Sequence, residues 1–234
     1  MISITQWLKR KRLPRCCALC TLYHDGFDAV CDACHTFLTP ITFACPYCAQ
    51  PLPEGAFLTC GQCIRKKPYF DRAIAPYIFE EPLRTLMHEF KYKRGLYLNS
   101  FLSKLIINHL PTQALDTECL IPVPMHVEKL RQRGFNQAAE LTKYIGRTLD
   151  IPYDLYSCTK IIKTPSQAGL NASERHRNLL NAFQTNTLPY KRVTLIDDLL
   201  TTGSTANELA KTLKRKGVEY VSVWCCARVS DERT

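Results

Sequence analysis

One stretch constrains the fold of this chain more than any other. Residues 193–205 read Val-Thr-Leu-Ile-Asp-Asp-Leu-Leu-Thr-Thr-Gly-Ser-Thr, so a short β-branched apolar run ends in two carboxylates. A turn rich in Thr, Gly and Ser follows, and a helical pattern covers 207–216. This order predicts a buried strand, a turn and a helix in an α/β protein, with the two carboxylates at the carboxyl end of the strand.

The same stretch predicts a site for a phosphorylated sugar. The backbone amides of residues 201–205 are expected to point at one spot where a helix begins, and such a spot binds phosphate. Two adjacent carboxylates beside it suit a diol, or a Mg²⁺ ion that also touches phosphate. The alternative is an ordinary capped strand–turn–helix, although adjacent buried carboxylates are costly without a cation or a diol. The candidate residues are Asp197, Asp198, Thr201, Thr202, Gly203, Ser204 and Thr205.

Strand and helix patterns alternate from residue 71 onward. The alternation predicts a mainly parallel sheet covered on both faces, whose ligands bind beyond the carboxyl ends of the strands. The predicted strands are 73–79, 119–123, 156–161, 193–197 and 220–227, and the predicted helices are 82–91, 97–109, 136–149 and 207–216.

Two further loops are expected at that edge of the sheet. The loop 122–136 carries Lys129, Arg131 and Arg133 before a helix start, a pattern that suits a diphosphate. A solvated basic loop is the alternative. The polar segment that follows residue 163 is either a lid over the site or an ordinary surface connection. Its candidate residues are Gln167, Arg175 and Arg177.

The cysteines form a separate pattern. Eight of the thirteen cysteines make four Cys-x-x-Cys pairs before residue 64, separated by ten, ten and eleven residues. Two thiolates converging from a tight turn suit zinc, so paired knuckles at this spacing predict two Cys₄ sites. Four thiolates close the coordination shell, so both Zn²⁺ ions are expected to be structural. The ligands are Cys17, Cys20, Cys31 and Cys34 for one ion and Cys45, Cys48, Cys60 and Cys63 for the other.

That assignment assumes sequential pairing of the knuckles, whereas the spacing also permits a cross-braced pairing. Disulfides are the alternative chemistry, and a cytoplasmic location argues against them. A thioredoxin-like redox role lacks the βαβ pattern that it requires around the knuckles.

The charge balance bears on partners and location. Net charge is +10, from 31 Lys and Arg against 21 Asp and Glu, which favours polyphosphate or nucleic-acid partners. Solvated charge is the alternative for each basic cluster. No stretch approaches the ~20 apolar residues of a membrane span, so we expect a cytoplasmic protein without membrane insertion. The candidate nucleic-acid contacts are Lys66, Lys67, Lys91, Lys93 and Arg94.

Two family resemblances follow from these motifs. The run 193–205 resembles the phosphoribosyl diphosphate (PRPP) loop of type I phosphoribosyltransferases. Together with Arg-Gly-Phe-Asn-Gln (133–137), the polar segment ending at Phe183 and the cysteine-rich start, it is similar to the ComF (ComFC/GntX) family over about residues 15–228. The resemblance implies a double zinc ribbon with a basic amino-terminal segment over 1–68. Over 69–234 it implies a type I phosphoribosyltransferase-like α/β domain.

The family resemblance implies a function in natural transformation. ComF proteins handle single-stranded DNA as it enters the bacterial cytoplasm, and other cytoplasmic DNA-uptake proteins are implied as partners. GntX relatives are tied instead to sugar-acid use. In the PRPP loop, the acidic pair contacts the ribose hydroxyls and the Thr/Gly turn wraps the 5-phosphate.

Enzymatic activity is one of two open hypotheses. An active phosphoribosyltransferase would use PRPP with Mg²⁺, and its cations would stabilise the departing diphosphate. Oxopurine enzymes carry an Asp at the position of Thr201, so purine salvage does not fit. A binding protein would instead hold a phosphate-bearing ligand, such as a DNA terminus, in the same pocket.

Overall fold

The computed structural model describes residues 14–55, 59–92, 95–162 and 181–230. In chain order its strands are β1 (Arg15–Cys16), β2 (Tyr23–His24), β3 (Arg72–Ile74), β4 (Tyr77–Ile78), β5 (Cys119–Pro122), β6 (Cys158–Lys160), β7 (Phe183–Thr185), β8 (Arg192–Ile196), β9 (Leu199–Leu200), β10 (Tyr220–Trp224) and β11 (Ala227–Arg228). The α-helices are α1 (Asp32–His35), α2 (Gly61–Arg65), α3 (Leu83–Tyr92), α4 (Asn99–Ile107), α5 (Val127–Arg133), α6 (Gln137–Leu149) and α7 (Ser204–Lys214), with 3₁₀ turns at Leu96–Leu98 and Thr112–Leu115.

A parallel sheet forms the centre of the fold, in the order β3–β10–β8–β5. Three of its strands resume after a two-residue break, because β4, β11 and β9 pair in parallel in the same order. Across the break, the amide of Cys225 donates to the Ile74 carbonyl (2.9 Å) and that of Cys226 to the Asp198 carbonyl (3.1 Å). The acidic pair 197–198 therefore directly follows the carboxyl end of β8, as the sequence predicted, and it occupies the break before β9.

Side chains of alternate strand residues enter two cores, as the period of two in a strand requires. Leu195 and Val223 pack on one face with Leu209 and Leu213 of α7. Residues of the opposite parity pack on the other face with α3, α4 and α6; among them is Trp224, whose side chain is fully buried. Helices on both faces confirm the predicted α/β class.

Several elements differ from the sequence prediction. The predicted loop 122–136 contains helix α5, which no periodicity signalled because none of its residues is buried. The predicted strand 156–161 is reduced to β6, and β6 pairs antiparallel with β7 outside the main sheet. Helix α7 begins three residues before the predicted start, at the turn itself.

The cysteine-rich part packs directly on the sheet and its helices. Cys17, Val30 and Leu38 share a buried core with α3 and α4. The amide of Ile41 donates to the Pro76 carbonyl (2.8 Å), and Phe70 is only 2% exposed. Apolar burial and main-chain hydrogen bonds thus fix this part against the α/β part.

Candidate functional site

The acidic pair lies at the strand break beside helix α3. Asp198 is 8% exposed, and its Oδ2 lies 2.5 Å from Lys91 Nζ. The backbone amide of Asp198 donates to Asp197 Oδ1 (2.9 Å), and the amide of Asp197 donates to the Trp224 carbonyl (3.0 Å). The two carboxylates are therefore held side by side, with one cation on the second of them.

Burial and neighbouring charges shift the pKa values of Asp197 and Lys91. Burial, and then the neighbouring charge of Asp198, raise the pKa of Asp197 well above its ordinary value. Burial alone would lower the pKa of Lys91, but its ion pair with Asp198 outweighs burial and raises that pKa. Lys91 was predicted to track nucleic acid, whereas the structure places its ammonium group inside the acidic site.

The Thr/Gly turn leads straight into helix α7. Gly203 occupies the N-cap with φ of 74°, a left-handed conformation that glycine adopts without steric cost. The Thr202 hydroxyl accepts from the Ser204 amide (3.3 Å) and lies 2.8 Å from the Ser204 hydroxyl. The Ser204 amide is thus satisfied within the turn, and the positive end of the α7 dipole lies at the turn.

The acidic pair and the turn line one cavity of about 200 Å³. Its walls are Lys91, Asp197, Asp198, Leu199, Leu200, Thr201, Gly203, Thr205 and Ala206. Oxygen acceptors at one side and a helix start at the other can hold a ligand that has both hydroxyls and an anionic group. The predicted juxtaposition of the acids and the turn is therefore present.

A larger, basic cavity of about 610 Å³ adjoins the first, since Lys91 lines both. It brings together the three cations predicted for a diphosphate. Arg133 of α5 contacts both neighbouring helices. It donates to Gln137 Oε1 of α6 (2.7 Å), and its guanidinium group stacks 5.0 Å from the centre of the Tyr92 ring of α3. The remaining lining residues are Lys91, Lys129, Arg131, Gln132, Gly134 and Phe135.

Cations in this region repel one another. Burial, and then Arg133, lower the pKa of Lys129. Burial, and then Lys129, lower the pKa of Lys160 to about 8, against the opposing effect of Asp197. An anion here would relieve this repulsion, so the electrostatics favour a polyanionic ligand.

A third cavity, of about 210 Å³, separates the turn from the cysteine-rich part. Lys66 and Lys67, predicted to contact nucleic acid, line it opposite Thr202 and Ser204. Lys67 also lies 4.8 Å from the centre of the Tyr47 ring. This basic pair is therefore adjacent to the candidate phosphate turn.

The eight knuckle cysteines form two groups, one of Cys17, Cys20, Cys31 and Cys34 and one of Cys45, Cys48, Cys60 and Cys63. Within each group the sulfur atoms all lie within 4.8 Å of one another. Examples are 3.9 Å between Cys20 and Cys31 and 3.5 Å between Cys48 and Cys60. Ligands 2.3 Å from a tetrahedral zinc ion would be about 3.8 Å apart, so both groups fit the ion. This grouping is sequential and not cross-braced.

Thiol electrostatics also favour a cation at each group. Burial, followed by neighbouring thiols, raises the pKa of Cys34 to about 12. Burial raises the pKa of Cys48 to about 12 as well, with the charge of Cys45 adding to it. A metal ion would offset both effects by stabilising the thiolates.

Some predicted site residues cannot be placed. The lid residues Gln167, Arg175 and Arg177, and the basic residues Lys93 and Arg94, lie outside the described residues. Conversely, sequence reasoning missed Lys160 and Arg228. Lys160 sits in the short antiparallel pair and gave no signal. Arg228 ends an apolar strand, where an arginine is unusual enough to have been a signal.

The fold and the site together define a class: a parallel α/β protein with an acidic pair and a phosphate-type turn, carrying a module with two Cys₄ groups. The chain belongs to the ComF family. It is 35% identical over 215 residues to competence protein F of Haemophilus influenzae, covering 88% of this chain and 93% of that protein. It is 32% identical over 224 residues to DNA utilization protein YhgH of Escherichia coli K12, covering 92% and 98%. Competence protein ComFC of Bacillus subtilis is 25% identical over 201 residues, with 81% and 80% covered.

Solved structures resemble the chain only weakly. No protein-family model matches the chain. A glutamine PRPP amidotransferase from B. subtilis overlays with a TM-score of 0.36 at 18% identity, covering 55% of this chain and 26% of that one. An orotate phosphoribosyltransferase from Aeropyrum pernix gives 0.33 at 14% identity, covering 61% and 63%. Among the helices of the described ranges, none has the length and apolar character to cross a bilayer.

Proposed function

We propose that this protein acts on incoming single-stranded DNA in the cytoplasm during natural transformation and holds a ribose phosphate of the PRPP type at its acidic site. The observation that carries the proposal is the shared cavity of the acidic pair and the 201–205 turn, next to the basic cavity. The names of the relatives, competence protein and DNA utilization protein, support the DNA-related part of it. Partner proteins would be other components of DNA uptake.

Each part of the site has a chemical role in this proposal. The carboxylates of Asp197 and Asp198 accept hydrogen bonds from the ribose hydroxyls. The amides of the turn and the dipole of α7 bind the 5-phosphate. Lys129, Arg131 and Arg133 bind the diphosphate as charge-assisted donors. Two carboxylates also fit Mg²⁺, which would enter with the ligand and neutralise part of the diphosphate charge.

Titration calorimetry with PRPP and Mg²⁺ tests the sugar-phosphate site. We expect Asp197→Asn to weaken binding at least tenfold, because a neutral amide is a weaker acceptor for a hydroxyl and a poorer partner for Mg²⁺. Asp25→Asn is the matched control, since Asp25 is exposed in the cysteine-rich part. Wild-type protein that binds neither PRPP nor ribose 5-phosphate would refute the site.

Salt dependence tests the DNA surface. Single-stranded DNA affinity should fall with rising salt, and Lys66→Ala with Lys67→Ala should reduce the slope by about one to two counterions. Arg215→Ala with Lys216→Ala, at two exposed positions beyond helix α7, is the control with the same charge change. A salt-independent affinity would contradict a backbone-tracking surface.

A second candidate function is PRPP-dependent phosphoribosyl transfer to an unidentified acceptor. The basic cavity favours it, because cations beside the acidic pair are placed to stabilise a departing diphosphate. Diphosphate release in an acceptor screen, lost in Asp197→Asn, would support transfer. Binding of PRPP without release in any acceptor mixture would leave the binding function alone.

A further inference from the structure

Arg228 occupies an unusual position beneath the phosphate-type turn. It is 2% exposed, and its guanidinium group donates to the carbonyls of Cys48 (3.1 Å), Leu200 (3.2 Å), Val229 (2.7 Å) and Thr201. Among the described residues it forms no ion pair with a carboxylate. A buried charge satisfied by carbonyls alone is costly unless its geometry is well fixed, so these contacts hold their partners firmly.

The contacts of Arg228 fix the direction of the turn amides together with the Val229 amide, which also donates to the Leu200 carbonyl (3.0 Å). A trans peptide is planar, so its N–H points opposite to its C=O. With the carbonyls of Leu200 and Thr201 directed at Arg228, the N–H groups of Thr201 and Thr202 point the other way. A planar fork can hold several carbonyls at once, whereas a lysine ammonium cannot reproduce that geometry.

One partner of Arg228, the Cys48 carbonyl, belongs to a candidate metal ligand. Cys48 lies in the second thiol group, so its main-chain position depends on how that group is held. Two more contacts connect the same region to the turn: the Tyr69 amide donates to Asn207 Oδ1 (2.6 Å), and the Phe70 ring lies next to Gly203. The first thiol group instead packs with α3 and α4, away from the turn.

We infer that Arg228 couples the second thiol group to the 201–205 turn. Arg228 is then a positioning residue, and a metal ion held by Cys45, Cys48, Cys60 and Cys63 aligns the turn amides through the Cys48 carbonyl. The first thiol group has no such role. The effect on ligand affinity rests on the proposed function, whereas the effect on the turn itself does not.

Hydrogen exchange measured by mass spectrometry tests the coupling without any ligand. In metal-loaded protein, Arg228→Lys should speed exchange in the 197–207 peptide at least tenfold while each chain keeps two metal ions. Cys63→Ser, which removes the second ion, should do the same. Cys34→Ser, the matched loss from the first group, should leave that peptide unchanged.

The wild type provides the same test if a variant fails to fold. During slow chelation, exposure of the 43–53 peptide identifies loss of the second ion, and exposure of 15–24 identifies loss of the first. Deprotection of 197–207 must follow the second ion only. Deprotection that follows the first ion, or neither, overturns the inference.

Affinity for PRPP distinguishes the two proposals. Faster exchange in Arg228→Lys together with at least tenfold weaker PRPP binding supports both. Faster exchange when even the wild type binds no PRPP supports the coupling and refutes the sugar-phosphate site. Unchanged exchange with normal PRPP binding refutes the coupling alone.

Discussion

At the residue scale, the environment of Asp197 conflicts with the charge of its carboxylate. Burial and the charge of Asp198 raise the pKa of Asp197. Between the pKa of the unfolded chain and the raised pKa of the folded protein, the folded protein therefore binds more protons at Asp197 than the unfolded chain does. The stability that protonation of Asp197 contributes is fully present below the pKa of the unfolded chain. It is lost as the pH rises through the raised pKa of the folded protein. Near pH 7 this carboxyl therefore destabilises the fold.

Asp197→Asn should raise the melting temperature at pH 7 while it weakens ligand binding. A gain of 1 kcal/mol would correspond to roughly 2–4 °C in a protein of this size. The gain should disappear near pH 3, below the ordinary pKa of about 3.9, where both states are protonated. Thermal unfolding at the two pH values measures it, and an equal or lower melting temperature at pH 7 contradicts it.

At the scale of elements, glycines follow helices α3 and α5, and the ends of both helices line the basic cavity. A Cβ on Gly95 would lie 2.8 Å from the Glu89 carbonyl oxygen and 2.9 Å from Phe90 Cα, so the end of α3 would have to move. Gly134 caps α5 with φ of 86° and has open space around it. An added methyl group should therefore destabilise the fold by different amounts at the two positions.

Gly95→Ala should destabilise the protein by about 2 kcal/mol or more, through backbone overpacking. Gly134→Ala should cost only about 1 kcal/mol, through the strained φ. Urea denaturation of both variants gives the comparison. If Gly134→Ala proves the more damaging of the two, the packing at the end of α3 is not as tight as the structure indicates.

Elements that depend on local signals were predictable, and those that depend on distant partners were not. Helix α6 begins one residue after the predicted start at 136, and Asn136 Oδ1 caps it by accepting from the Ala138 amide (3.1 Å). Strand β9, which resumes the line of β8 after the break, was missed because it is stabilised by pairing with β11, some thirty residues later in the chain. The roles of Lys91 and Arg228 likewise come from contacts across the fold.

At the scale of the whole molecule, the two Cys₄ groups lie in an amino-terminal module that packs on the α/β part. Apolar burial in this module is modest, and zinc contributes ~10–16 kcal/mol per site in comparable peptides. Adjacent cysteines near the first knuckle allow a stringent test of the grouping. Cys17 belongs to the first group and is buried, whereas Cys16 is exposed and belongs to neither.

Cys17→Ser should reduce the metal content from two ions per chain to one, because serine is a poor zinc ligand. Cys16→Ser should retain both ions. Elemental analysis of the purified variants, with circular dichroism to confirm folding, measures the outcome. Metal loss in Cys16→Ser with retention in Cys17→Ser would show that the grouping is wrong.

The backbone contact between Asp197 and Trp224 has a practical consequence. Trp224 is one of two tryptophans in the sequence, and its side chain is buried. It lies on β10, the strand next to β8, which the acidic pair follows. A ligand that moves the main chain at Asp197 would also move the strand that carries this indole. The molecule thus contains its own optical reporter, and intrinsic emission would follow occupancy in real time without an attached dye.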